Sequence, residues 1–217
     1  MKRILVTGCS GFIGMHLCKN LLDCGESILG IDNMNDYYSK GLKKERLRKI
    51  KEYDNFRFSK INLCDLESLK LAFDKFNPEI VVNLAAQAGV RYSLINPNAY
   101  IEANIMGFMN ILECCRKNNI NNLVYASSSS VYGANDTTPF NENDNVNKPI
   151  SIYATSKRSN ELMAYAYNHL YGLNTVGLRY FTVYGPWGRP DMAPMIFTKA
   201  ILSGKPIDIF NFGNMKR

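Results

Sequence analysis

Arg3-Ile4-Leu5-Val6-Thr7-Gly8-Cys9-Ser10-Gly11-Phe12-Ile13-Gly14 decides the fold: an apolar, β-branched run leads directly into three glycines, three apart, at the mouth of an apolar helix. Glycines there let backbone approach a pyrophosphate, and the helix N-terminus behind them presents N–H donors and partial positive charge. Any tight turn needs glycine, so the triplet gains its weight from lying between a strand and a helix. Further β-branched runs fall near residues 27–31, 55–59, 79–84, 122–127 and 174–180, with helical patterns mostly between them. Such alternation calls for parallel pairing, and Ile80-Val81-Val82-Asn83-Leu84, apolar on both faces for most of its length, reads as a strand covered on each side. The expected class is α/β with a doubly wound parallel sheet, in which ligands sit outside the carboxyl ends of the strands. Function is then to be read just after Val6, Ile31, Leu84, Ala126 and Leu178.

Composition narrows the partners. The 217 residues carry 26 basic and 19 acidic side chains, a net charge of +7, which suits nucleic acid or phosphate-bearing small molecules; the second is favoured, with no nucleic acid expected. Much of the excess lies in 40–51, where Leu42, Leu47 and Ile50 share one helical face and charge covers the rest, the pattern of a solvated helix. The six cysteines form no Cys-x-x-Cys pair and the two histidines supply no metal constellation. Reduced, mostly buried thiols, a strand that starts at residue 3 and the lack of any long apolar stretch lead to the expectation of a soluble, cytoplasmic protein with no membrane partner and no metal. The Asn-, Asp- and Pro-rich segment 139–149 reads as a surface loop that ends where Ser151 begins to cap a helix.

Asp32 ends the second strand, where a carboxylate accepts hydrogen bonds from adenosine ribose hydroxyls and repels a 2′-phosphate; NAD is therefore favoured over NADP. The same residue also suits the start of the Asp-Asn-Met-Asn-Asp turn. Asp65, after the third strand, can contact adenine or N-cap the helix beginning at Leu66, and the two are compatible. Farther on come a serine cluster, Ser127 to Ser130, and Tyr153-Ala154-Thr155-Ser156-Lys157. Residues four apart stand on one helix face, which by itself is common. Beside a dinucleotide turn the pair describes a base: a lysine and a cationic nicotinamide drawing a tyrosine down from its usual pKa of about 10.

Thr-Gly-x-x-Gly-Phe-Ile-Gly, Asn83-Leu84-Ala85-Ala86, Ser128 to Gly133 and Tyr-x-x-x-Lys together resemble the extended short-chain dehydrogenases/reductases of the nucleotide-sugar epimerase and dehydratase group, along essentially the whole chain. The resemblance implies a Rossmann domain over 1–184 and, over 185–217, the beginning of a smaller C-terminal substrate lobe. It implies Ser128, Tyr153 and Lys157 as catalytic residues. It implies an NAD site of Gly8, Gly11, Phe12, Ile13, Gly14, Asp32, Asn33, Asp65, Leu66, Ala85, Ala86, Gln87, Asn104, Tyr153, Lys157, Tyr180 and Val183. Substrate contacts are expected from Arg91, Ser129, Ser130, Thr182 and Arg189.

Decarboxylating and dehydrating relatives tend to carry an acid between the catalytic hydroxyl and Val-Tyr-Gly; here that stretch is Ser129-Ser130. The run Arg179 to Met192 is similar to that of UDP-glucuronate 4-epimerases, whereas UDP-glucose 4-epimerases usually have Asn in place of Thr182. Arg189 suits a uronate carboxylate or a diphosphate, and read without the family it is a loop arginine in a Gly-Pro-rich turn. The implied activity is an NAD-dependent UDP-sugar 4-epimerase passing through a 4-keto sugar and serving capsule or lipopolysaccharide sugars, with Ser130, Thr182 and Arg189 guarding the β-keto acid against loss of CO2. The alternatives are a UDP-hexose or UDP-N-acetylhexosamine 4-epimerase and an NAD-binding protein without catalysis. Because the group usually runs longer, these 217 residues alone are expected to leave apolar surface uncovered and to bind UDP-sugar poorly. A homodimer through helices 98–117 and 151–171 is implied, with Met106, Phe108, Met109, Tyr165 and Tyr167 suited equally to interface and core.

Overall fold

A computed structural model describes residues 1–135 and 137–214. Six strands, β1 (Arg3–Thr7), β2 (Ser27–Asp32), β3 (Phe56–Lys60), β4 (Ile80–Asn83), β5 (Asn122–Ala126) and β6 (Asn174–Leu178), form one sheet in the order β3-β2-β1-β4-β5-β6. Every pairing is parallel. The helices are α1 (Phe12–Asp23), α2 (Lys40–Lys51), α3 (Leu66–Phe76), the short α4 (Asn98–Tyr100), α5 (Gly107–Lys117), α6 (Ile152–Tyr171) and α7 (Ala193–Leu202). Between α4 and α5 the chain stays helical but widens into a π-helical stretch, Ile101–Met106.

Alternation along the strands builds a core on each face of the sheet. Leu5, Ile31, Val81, Leu123 and Tyr125 pack with Leu69 and Phe73 of α3 and Phe108, Ile111 and Leu112 of α5. Ile4, Val6, Ile28 and Val82 point the other way, onto Met15, Cys18 and Leu22 of α1 and Leu47 and Ile50 of α2. The order reverses between β1 and β4, which opens a crevice at their carboxyl ends. There the register sets Thr7 beside Asn83. The Thr7 hydroxyl donates to Asn83 Oδ1 at 2.6 Å and accepts from the Ala85 N–H at 3.1 Å, fixing the exits of both strands.

The two capped helices behave as their termini dictate. The Asp65 carboxylate accepts from the Ser68 N–H and the Ser151 hydroxyl oxygen from the Ala154 N–H, which starts α3 and α6. Asn77 and Gly172, both left-handed, end them.

The expectation for 40–51 needs correcting. Leu47 and Ile50 are buried, but so are Lys43 and Arg46, the latter with no exposed surface at all. Arg46 is satisfied by acceptors rather than water: its guanidinium donates to the carbonyls of Trp187 at 2.6 Å, Gly188 at 3.1 Å and Ser10 at 3.4 Å, and to the Tyr38 hydroxyl at 2.6 Å. A solvated helix face is thereby replaced by a strap between the glycine turn and the segment after β6.

All six cysteines are free, with Cys24 and Cys64 exposed and the other four buried. Among the described residues no helix is long and apolar enough to cross a membrane, and no group of His, Cys, Asp and Glu could hold a metal ion. Uncovered apolar surface is present as expected: Val176 on the edge strand is 48% exposed, and α7 buries none of its residues.

Candidate active site

A cavity of about 910 Å³ lies outside the carboxyl ends of the strands. Its floor at the β1 end is the glycine turn. Gly8 is left-handed, and its N–H donates to the Ile31 carbonyl at 2.7 Å. A Cβ on Gly14 would come within 2.1 Å of the Gly8 carbonyl oxygen, so the helix can approach its turn only with hydrogen at that position. α1 has no side-chain cap and no acid in its first turn, which leaves its N-terminal donors for an anion. The Asp32 carboxylate is held at the end of β2 by the Ser10 N–H at 3.1 Å and the Met34 N–H at 2.8 Å. A cradle closed to side chains, uncapped donors and an anchored carboxylate at the ribose position fit a dinucleotide.

At the β5 and β6 end the same cavity is lined by Ser128, Ser129, Ser130, Tyr153, Lys157, Tyr180, Thr182, Val183 and Arg189. Ser151 caps α6 so that Tyr153 falls in its first turn and Lys157 one turn later. Lys157 is almost wholly buried; its ammonium donates to the Ala126 carbonyl at 2.8 Å, and burial draws its pKa down from 10.5 to about 8. The phenol of Tyr153 is pushed above its usual value by burial, with the Ser128 hydrogen bond and the Arg189 charge pulling the other way. Burial is thus the largest influence on the phenol in this structure, ahead of any neighbouring charge. Ser128 Oγ accepts from the Ser130 N–H at 3.1 Å, and the Ser129 N–H donates to the Tyr180 carbonyl at 2.9 Å, so the serine turn is tied to the exit of β6. Thr182 presents a buried hydroxyl with no hydrogen-bond partner among the described residues.

Gly8, Gly11, Phe12, Ile13, Gly14, Asp32, Asn33, Ala85, Ala86, Gln87 and Arg91 also line this cavity. Three expected contacts do not. Asp65 spends its carboxylate on the α3 cap, Leu66 packs against the core, and Asn104 lies behind Gln87. The Asn104 amide brackets the Gln87 backbone, accepting from its N–H at 2.8 Å and donating to its carbonyl at 3.0 Å, and it donates to Ser156 Oγ at 2.9 Å. Asn62 and Leu63, just before Asp65, face the cavity instead. Asn35, Tyr37, Tyr38, Lys43 and Asp191 also line it, unanticipated. The one available signal for Lys43 was its place one helical turn before Leu47, on the buried side of α2.

The profile described as "NAD dependent epimerase/dehydratase family" matches residues 4–217. Protein CapI of Staphylococcus aureus is 59% identical over 99% of this chain and 64% of its own length. A probable UDP-glucuronate 4-epimerase of Rhizobium meliloti is 47% identical over 99% of this chain and 63% of its length. The crystal structure of UDP-glucuronic acid 4-epimerase from Bacillus cereus, in complex with UDP-glucuronic acid and NAD, superposes with a TM-score of 0.87 at 35% identity, covering 96% of this chain and 65% of that one. The chain thus spans a little under two thirds of the length of the relatives it matches. With the profile running through the glycine cradle, the serine turn and α6 alike, the chain belongs to the NAD dependent epimerase/dehydratase family.

Proposed function

We propose that the intact protein is an NAD-dependent 4-epimerase that interconverts UDP-glucuronate and UDP-galacturonate. The observation that carries the sugar assignment is the wall around Tyr153: Ser129, Ser130, the hydroxyl of Thr182, unpartnered among the described residues, and the guanidinium of Arg189 line it, and no acid lies between Ser128 and Val131. An unmet buried hydroxyl and a cation are what a carboxylated sugar would satisfy. The names of the Rhizobium and Bacillus relatives support the same reading.

The glycine cradle, the uncapped N-terminus of α1 and Asp32 would hold NAD, which would supply the acceptor, and then the donor, of the C4 hydride. Tyr153 as phenolate takes the proton of the C4 hydroxyl while Ser128 hydrogen-bonds the same oxygen. Lys157, fixed to Ala126, adds positive charge beneath the site and a donor toward the nicotinamide ribose. The flat C4 ketone turns in the cavity, presents its other face, and recovers its proton from Tyr153. Ser130, Thr182 and Arg189 hold the carboxylate out of line with the carbonyl π system, so that CO2 is retained. We assign 1–184 to cofactor and chemistry and 185–217 to the start of the substrate lobe. Six unpaired cysteines fit a cytoplasmic, reducing setting, and the apolar side chains exposed on the π-helical stretch and α6 suit a homodimer.

The test is a product assay on the intact protein given UDP-glucuronate without added NAD. UDP-galacturonate is expected. UDP-galactose formed only from UDP-glucose would move the assignment to the hexose epimerases, and no turnover of either would leave a non-catalytic binder.

A further inference from the structure

We propose that Asp191, steadied by Tyr37, is a positioning residue that fixes the Arg189 guanidinium so that one edge is held by protein and the other faces the sugar; this rests on the uronate reading above. Arg189 Nε donates to Asp191 Oδ1 at 3.1 Å and Nη2 donates to Oδ2 at 2.5 Å, a two-pronged pair along the side of the guanidinium. The Tyr37 hydroxyl donates to the same Oδ2 at 3.1 Å. A guanidinium has five N–H groups in a rigid plane. Asp191 takes one on Nε and one on Nη2, and Tyr37 lies on that same side of the guanidinium, which leaves the Nη1 end for another carboxylate.

The clamp is assembled from three loops. Tyr37 comes from the β2–α2 connection, Arg189 and Asp191 from the segment after β6, and Gly89 from the segment after β4. A Cβ on Gly89 would lie 2.5 Å from the Tyr37 hydroxyl and 3.7 Å from Arg189 Nη2, and its φ of +98° is itself a glycine conformation. The Tyr37 ring is backed by Tyr92, with centroids 5.0 Å apart. Arg189 and Asp191 keep side-chain exposures of only 22% and 33%, and both line the cavity that holds Tyr153. A loop arginine without such a partner would be free to swing.

Orientation matters because of the side reaction. In the 4-keto uronate, the C5–C6 bond breaks when it lies parallel to the carbonyl π system; its electron pair enters the C4 carbonyl as an enolate, CO2 leaves, and the enolate takes a proton at C5. With its side edge occupied, Arg189 can grip the sugar carboxylate only end-on, in one plane. Losing Asp191 lets the guanidinium grip by either edge and so admits the aligned rotamer.

The experiment uses the intact protein and compares wild type with Asp191→Asn, Asp191→Glu and Tyr37→Phe, measuring kcat/KM for UDP-glucuronate and the ratio of pentose to epimer. Asp191→Asn is expected to lower kcat/KM roughly tenfold, as for loss of one charge-assisted contact, and to raise the pentose share severalfold. Tyr37→Phe should shift both in the same direction by less, and Asp191→Glu should restore part of the ratio. A merely structural role would lower epimer and pentose together at an unchanged ratio, and that result overturns the inference, as do wild-type values in both Asp191→Asn and Tyr37→Phe. A wild-type enzyme that leaves UDP-glucuronate untouched overturns the uronate reading and this inference with it.

Discussion

At the residue scale, Lys157 trades stability for chemistry. Burial brings its pKa to about 8 while an unfolded lysine keeps 10.5. Between those values the unfolded chain binds more protons than the folded one, so stability rises with pH across that window and is flat outside it. At about 1.4 kcal/mol per pKa unit, the charged lysine holds the cofactor-free fold back by about 3 kcal/mol at neutral pH. Replacing Lys157 with Met removes the buried charge at similar size and forfeits one hydrogen bond, that to Ala126. Urea melts are expected to show Lys157→Met about 2 kcal/mol more stable than wild type at pH 7, with the gap closing toward pH 10.5, and turnover abolished. A variant less stable than wild type at pH 7 would refute the account. The Tyr153–Lys157 pair was legible because helical spacing is local. The partner of the ammonium was not, because Ala126 offers a backbone carbonyl that every residue possesses. Asp191 was equally invisible: an acid two residues after an arginine signals nothing until Tyr37 arrives from a distant loop.

Between elements, the exits of β5 and β6 are tied to α6 through Glu161. Its carboxylate accepts from the Ser127 hydroxyl at 2.7 Å, from Arg179 Nε at 2.9 Å and Nη2 at 3.1 Å, and from Arg158 Nη1 at 3.0 Å. Burial pushes its pKa up, but Arg179, Ser127 and Arg158 outweigh that and leave it below the ordinary 4.5. The sign follows: this stability is present above 4.5 and is lost as pH falls below it. Glu161→Ala strands two arginines whose side chains are 18% and 24% exposed and is expected to cost about 3 kcal/mol in a denaturant melt at pH 7, with Glu161→Gln losing less. A change within about 0.5 kcal/mol of wild type would mean that the network contributes nothing to holding the strand exits. The strands were readable to within a residue or two because each is a short β-branched run bounded by helical pattern, as in Ser27–Asp32. The widened turn at Ile101–Met106 left no mark, since its side chains obey no period that a sequence displays. α2 misled for the opposite reason: amphipathic spacing assigned Lys43 and Arg46 to solvent, and hydrogen-bond acceptors from the glycine turn, the β2–α2 connection and the segment after β6 drew them inside.

For the whole molecule, the fold alone does not choose a substrate, since one scaffold serves many sites; what remains to be asked at this scale is how the outer surface is used. The five side chains that suited interface and core equally now separate. Phe108 is core at 1% exposure, and Tyr167 packs against the same core cluster from α6 while donating to Glu113 Oε1 at 2.7 Å. Met109 is covered by the Tyr167 hydroxyl, which lies 3.3 Å from its sulfur. Met106 and Tyr165, in contrast, are 55% and 74% exposed, and Ile101 and Leu162 stand out at 49% and 54% on the same two helical stretches. Large apolar side chains gathered on neighbouring helices are the usual core of a two-fold interface, where one patch meets its own copy. If the intact protein pairs through this face, two charges placed on α6 would meet their symmetry mates across the axis and be desolvated there. The double variant Leu162→Glu, Tyr165→Glu is therefore expected to convert a dimer to a monomer in light scattering. Both positions are already half or more exposed, so the melting temperature of the monomer should fall only by the stabilisation that association had supplied. A wild-type protein that runs as a monomer, or a double variant that remains dimeric, would show that these helices face solvent in the assembled enzyme.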